Sequence, residues 1–260
     1  MRDMTIEEAA ATSRDDGGAI GNVVVRDYFG RGHQLRPGPQ IYLGEQLDTG
    51  SEIFAHFHDV DQFQVVVRGS GRFGRVPVRP VTVQYADAFA PYGPIVAAKG
   101  GIGFFVFRRC AATGGWRMPG HAQMIPKPMG RRFFIDVADT ESRPGEAEAM
   151  HEVLRDPDDD GLAIELIRMG PFATSSSPRG DAGEQHLLVC AGSLTRAGKK
   201  LPPLSALVPD PEELAPALAA SDEGAVVLVL KFPRATGRAG SDPAKVRHDG
   251  SGYVRAVNSA

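Results

Sequence analysis

The stretch His56-Phe57-His58-Asp59-Val60-Asp61-Gln62-Phe63-Gln64-Val65-Val66-Val67-Arg68-Gly69 decides how this chain is read. In an extended strand, residues i and i+2 face the same side. His56 and His58 can therefore point into one cavity, and Gln62 and Gln64 keep the same parity. Two imidazoles plus one oxygen donor, with positions left open for substrate, is how non-haem iron and related sites are built. The pattern marks His56, His58 and Gln62 as candidate metal ligands. It names no substrate and no general base.

The rest of the composition narrows the class. A net charge of −3 over 260 residues gives no electrostatic case for nucleic acid or an anionic membrane surface as partner. The longest apolar run, Ala225 to Leu230, is strand-sized and far short of the roughly 18 residues of a membrane helix. The acidic first 18 residues have no apolar h-region, so no signal peptide is expected. With Cys110 and Cys190 alone there is no disulfide framework and no zinc spacing, and the expectation is a cytoplasmic protein with reduced thiols. Both cysteines read as buried small hydrophobes. The 31 glycines and 20 prolines are spread along the chain, the punctuation of many short strands joined by turns. Helical patterning is confined to Thr5–Thr12, Glu146–Arg155 and Pro211–Ala220, the first with Thr5 as N-cap and the last with Asp210 before Pro211.

Shifted by 123 residues, the chain repeats its own strand pattern. Gln62 falls on Gln185, Gly69-Ser70 on Gly192-Ser193, and Gly101 on Gly224. Phe104 to Arg108 falls on Val227 to Lys231, and Ile41 and Leu43 fall on Ile164 and Leu166. One offset serves the whole length of both halves, which implies a tandem duplication of one all-β unit. The expected organisation is a first barrel over 19–110, a connector over 111–160 containing a strand at Arg131 to Val137, and a second barrel over 161–235. The tail after Pro233 is Gly, Ser and charge, and is expected to be loose.

The spacing His56-x-His58-x3-Gln62-x6-Gly69 resembles the first signature motif of the cupin superfamily, in which Glu usually stands where Gln62 does. Pro91-Tyr92-Gly93, with Asp87 four residues before Pro91, is similar to the second motif, whose last histidine is replaced here by Val96. The resemblance covers both repeats and implies a bicupin. The implied fold is all-β, two tandem double-stranded β-helix (jelly-roll) barrels with few short helices. It implies one divalent transition metal, Fe, Mn, Ni, Cu or Zn, with no organic cofactor. The second barrel keeps only Gln185 of the motif: Arg179 and Asp181 stand where the histidines should be and Ala219 replaces Val96. No metal is expected there, and His186, of opposite parity to Gln185, should point away from that cavity. Family precedent also allows a homodimer.

Gln64, Tyr92 and Val96 are the expected substrate-pocket residues. Asp87 reads as a turn residue. Arg68, Arg72, Arg75 and Arg79 could attract a carboxylate but read better as a solvated hairpin face. Gly69-Ser70-Gly71 has no helix after it to cradle phosphate. His121, His151 and His248 read as exposed, and His33 is the extra ligand to look for. The leading functional expectation is a metal-dependent enzyme, of dioxygenase or isomerase/lyase type, acting on a small polar organic molecule. The alternative is a non-catalytic bicupin that binds a small ligand or serves as a scaffold around a relic site.

Overall fold

The computed structural model describes residues 1–18, 21–30 and 38–246. His33 and His248 lie outside them. The chain divides into two compact units. One, residues 10–136 and 237–260, carries the two histidines. The other comprises residues 1–9 and 137–236. Among the described residues no helix is long and apolar enough to cross a membrane.

In the histidine-bearing unit the short strands His56–Phe57 and Trp116–Arg117 pair as a separate two-stranded sheet, and nine of the described strands form one antiparallel sheet. Its centre is strand Gln62–Phe73 paired with strand Ile95–Arg108. Strand Thr82–Ala86 flanks the first, strand Gln40–Gln46 the second. Strands Arg132–Asp136, Gly21–Phe29 and Arg14–Gly18 complete the order outward. Arg132–Asp136, which the sequence placed in the connector, is thus an integral strand of this sheet. Both faces of the central pair are buried. One face is aromatic: Phe63 packs on Tyr85 at 4.8 Å between ring centroids, and Phe105 on Tyr28 at 4.9 Å. The other carries Val66, Phe104 and Val106 together with the polar side chains Gln62, Gln64 and Arg108. A strand buried on both faces reads as a near-continuous apolar run, as Phe104-Phe105-Val106-Phe107 does.

The second unit is built the same way. Strand Glu184–Arg196 pairs with strand Ala217–Phe232, flanked by strands Ala163–Met169 and Ala206–Val208. These strands recur 123 residues after their counterparts, and the register recurs with them: Ile102 faces Gly69, and Ala225 faces Gly192. The glycines explain themselves. Gly69 sits at φ 62° and a Cβ on it would lie 2.1 Å from the carbonyl oxygen of Gly101. Gly192 sits at φ 63° with 2.2 Å to the oxygen of Gly224. The motif glycine is therefore a backbone crossing point, required in both units. The fold is an all-β jelly roll.

Four sequence expectations change. Of the helices, only the first forms, as Ile6–Ala10. Its cap is reciprocal: Glu8 N–H donates to Thr5 Oγ1 at 3.2 Å and Thr5 N–H to Glu8 at 2.8 Å. Ala149–Arg155 is instead an exposed edge strand, paired with Ala163–Met169. Ala217 to Ala220 opens strand Ala217–Phe232, with Leu218 and Ala220 in the core. Sheet pairing overrides helix propensity in both. The tail is not loose over 237–246. Arg238 bridges Asp61 at 2.8 Å and Asp87 at 3.0 Å, and buried Ser241 accepts from Arg109 at 2.6 Å. Asp87 is accordingly a buried carboxyl, also bound by Tyr85 Oη at 2.7 Å and by Arg131, rather than a plain turn residue.

Candidate metal centre and its polar surround

His56–Phe57 is a two-residue strand held on both sides. Phe57 and His56 pair with Trp116 and Arg117. Opposite, His56 and Tyr92 form a closed pair, His56 N–H to Tyr92 O and Tyr92 N–H to His56 O, both 3.0 Å. Alternation sends Phe57 away from the imidazoles to stack on Trp116 at 5.7 Å. His56 and His58 lie together, ring centroids 5.0 Å apart and nearly perpendicular, with exposures of only 2% and 8%.

Both rings are oriented by the main chain. His56 Nδ1 lies 2.6 Å from the carbonyl oxygen of Phe54, and His58 Nδ1 lies 2.6 Å from that of Gly114. A carbonyl oxygen only accepts, so each Nδ1 carries the proton and each Nε2 presents a lone pair. That is the tautomer a metal requires, fixed by the carbonyl contact that usually accompanies ligation. Electrostatics agree. Burial, with a smaller push from the Arg108 charge, lowers His56 to about 4, against the Phe54 carbonyl, which favours the charged ring. His58 falls well below its usual range by burial, Arg108 and His56 together. Both imidazoles are neutral at pH 7.

Tyr92 and Gln64, the expected pocket residues, are both buried. Tyr92 Oη donates to His56 Nε2 at 2.8 Å, and burial pushes its phenol up. Gln64 stands directly across from Gln84 on one side and Val106 on the other. Gln64 Oε1, both side-chain polar atoms of Gln84, and Gln62 Nε2 are buried without a protein hydrogen-bond partner.

Two assignments differ. Gln62 is buried beside the histidines, but its Oε1 accepts from Arg108 Nε at 3.0 Å and from a terminal nitrogen of the same guanidinium at 2.8 Å. Both lone pairs of the proposed donor are engaged. Val96 is half-buried and pairs with Glu52 and Arg72, both exposed. Its neighbours in the strand, Ile95 and Ala97, are the ones that face the core. His151 is exposed, as are Arg68, Arg72, Arg75 and Arg79, while His121, expected to be exposed, is half-buried; Cys110 is buried and Cys190 half-buried. In the second unit, Gln185 bonds Ser177 O at 2.7 Å and His186 pairs with Glu184 at 2.9 Å.

Arg108 is the functional residue that sequence reasoning missed. Its guanidinium also reaches Gln40 Oε1 at 2.7 Å, and it is 2% exposed. The available signal was its place two residues beyond Val106, on the face of strand Ile95–Arg108 that carries the amides. Gln84 was legible in the same way, as the alternate residue of a fully buried strand.

No family model matches the chain and no curated protein sequence matches it. Its fold is shared by solved structures of low sequence identity. A "putative dioxygenase" from Nostoc punctiforme aligns over 92% of this chain and 85% of its own, at 11% identity and TM-score 0.62. Oxalate decarboxylase from Bacillus subtilis aligns over 91% and 77%, at 11% identity and TM-score 0.56. Bacterial pirin from Escherichia coli, in complex with nickel(II), aligns over 90% and 99%, at 13% identity and TM-score 0.54. Likeness at this identity speaks to fold alone: the chain shares the all-β fold of these structures.

Proposed function

We propose that this protein is a metal-dependent enzyme of cupin type acting on a small polar organic molecule, by oxygenation or by isomerase/lyase chemistry. The observation that carries this reading is the histidine pair: two adjacent buried imidazoles, each with Nδ1–H fixed on a main-chain carbonyl and Nε2 left as the acceptor nitrogen, that of His56 facing the Tyr92 hydroxyl at 2.8 Å. Such a donor set fits a divalent transition ion, held by His56 and His58. Manganese in oxalate decarboxylase and nickel in pirin, on the same fold, support the choice of ion class. A bound ion supplies Lewis-acid chemistry, or dioxygen chemistry if it is iron.

The chain's own groups supply the rest. The buried amides of Gln64 and Gln84 offer both donor and acceptor atoms to a polar substrate. Arg108 holds Gln62 in one orientation and sets a fixed positive charge near the imidazoles. Burial of His56 and Tyr92 excludes bulk water from the histidine pair. We read the whole chain as a bicupin with a degenerate second barrel. Arg179 and the exposed Asp181 at the histidine positions of the second unit support this.

A second reading, non-catalytic binding of a small ligand around a relic site, is favoured by one observation. Gln62 gives its oxygen to Arg108, and among the described residues no three His, Cys, Asp or Glu side chains cluster as ligands. Elemental analysis of wild type beside His56→Ala/His58→Ala separates the two. One ion per chain in wild type alone supports the enzyme reading. No ion in either, after reconstitution with Fe, Mn, Ni, Cu and Zn in turn, leaves the binding role.

A further inference from the structure

We propose that the Tyr92 hydroxyl oxygen is the third protein ligand of this centre, taking the place that Gln62 and Val96 cannot fill. The inference rests on the metal site proposed above and goes beyond it by naming a ligand that changes the charge of the site.

Four observations carry it. First, Tyr92 and His56 face each other as a closed antiparallel pair, so both side chains leave the ladder on the same side. Second, Tyr92 Oη stands 2.8 Å from His56 Nε2, the very atom that the fixed tautomer makes a ligand. Two ligand atoms each about 2.0–2.1 Å from a shared ion, at right angles, lie about 2.9 Å apart. The present O–H···N contact therefore has the length of a coordination edge. Third, the Tyr92 ring lies within 6.3 Å of the His58 ring, so all three side chains bound one small volume. Fourth, the competing donors are excluded: both acceptor positions of Gln62 Oε1 are taken by Arg108, and Val96 has no donor atom and pairs between exposed residues.

Ligation exchanges one partner for another. The Oη–H bond breaks, the proton leaves to solvent, and an oxygen–metal bond forms in its place, with no change of oxidation state. The hydroxyl's hydrogen bond to His56 Nε2 is lost in the same step, and that nitrogen turns its lone pair to the ion. The product carries one phenolate charge, which offsets part of the charge that a cation adds beside Arg108. Gln62 then acts as a positioning residue, held by Arg108 and not by the ion.

The test is titration of the full-length protein with Fe(III), read by visible absorption and by bound iron per chain. Wild type, Tyr92→Phe and His56→Ala/His58→Ala are compared, with circular dichroism to show that each is folded. The expected result is about one iron per wild-type chain with a visible phenolate-to-iron charge-transfer band. Tyr92→Phe should lose the band and bind iron at least about tenfold more weakly, since loss of even an outer-sphere partner costs that much. If Tyr92→Phe does not fold, 3-fluorotyrosine introduced at position 92 alone gives the same answer: a shifted charge-transfer band supports Tyr92 ligation, and an unshifted band overturns it. Iron binding without the band, with or without equal affinity in Tyr92→Phe, overturns Tyr92 ligation and leaves the histidine site standing. A band that survives in Tyr92→Phe also overturns it, because the phenolate is then another tyrosine. A wild type that binds no iron, and none of Mn, Ni, Cu or Zn by elemental analysis, overturns both the ligand and the site.

Discussion

Arg108 donates to Oε1 of Gln62 through two nitrogens, at 3.0 and 2.8 Å, and to Gln40 through the third. A buried guanidinium thereby converts a residue in a ligand position into its own anchor. A charge-assisted hydrogen bond is about twice as strong as a neutral one, so Gln62 stays turned toward Arg108.

Arg108→Met should free the Gln62 oxygen and remove a positive charge felt by both imidazoles. Metal affinity should rise at least severalfold, while stability falls by about 1–3 kcal/mol through the unpaired amides of Gln62 and Gln40. Isothermal metal titration beside urea denaturation measures both. A loss of metal affinity in a folded variant would show that Arg108 supports the site instead.

Acid should destabilise the metal-free protein in a defined window. His56 is lowered to about 4 in the folded state, so between there and its usual value near 6.5 the unfolded chain binds a proton that the folded chain refuses. The stabilising contribution is complete above pH of about 6.5. It is lost as pH falls through the folded-state value, and it amounts to roughly 3 kcal/mol for His56 alone. His58, shifted in the same direction by burial, adds to it. Urea midpoints measured from pH 7 to 4 should fall in wild type and change less in His56→Ala/His58→Ala.

Gly69→Ala should be costly, because a Cβ at φ 62° would lie 2.1 Å from the Gly101 oxygen. Strain of a non-glycine residue in that region is about 1–3 kcal/mol before the clash is counted. Gly192→Ala meets the same geometry in the second unit and should cost a similar amount. Matched thermal or urea unfolding of the two variants checks whether the crossing is equally required in both. A neutral effect at either glycine would contradict the steric argument there.

Arg238→Ala should release residues 237–246 from the histidine-bearing unit. The change leaves Asp61 and Asp87 with one guanidinium fewer, although Arg109 and Arg131 still reach them. Burial already raises the Asp61 carboxyl against its charged partners. Removing one partner of a buried pair costs about 3–5 kcal/mol, and about 2–3 kcal/mol is expected here because partners remain. Limited proteolysis should cut near Gly237–Gly240 in the variant and spare that segment in wild type.

The sequence determined the elements whose signal is local or repeated. The i, i+2 spacing of His56 and His58 fixed their common face, because strand alternation is a property of the backbone. The 123-residue offset located matched strands in both halves, because glycine at a backbone crossing cannot be replaced without strain. Tertiary structure decided the rest. Ala149–Arg155 is strand and not helix because a neighbour supplies its hydrogen bonds. Arg108 and Gln62 stand 46 residues apart, and Asp61 and Arg238 177 apart, so nothing in local pattern could pair them. Val96 is only half-buried because the parity of strand Ile95–Arg108 turns its flanking residues to the core. Which face a residue takes can be read from spacing. Which polar group is already engaged depends on a partner brought in by the fold, as Arg108 is for Gln62 and His56 for Tyr92.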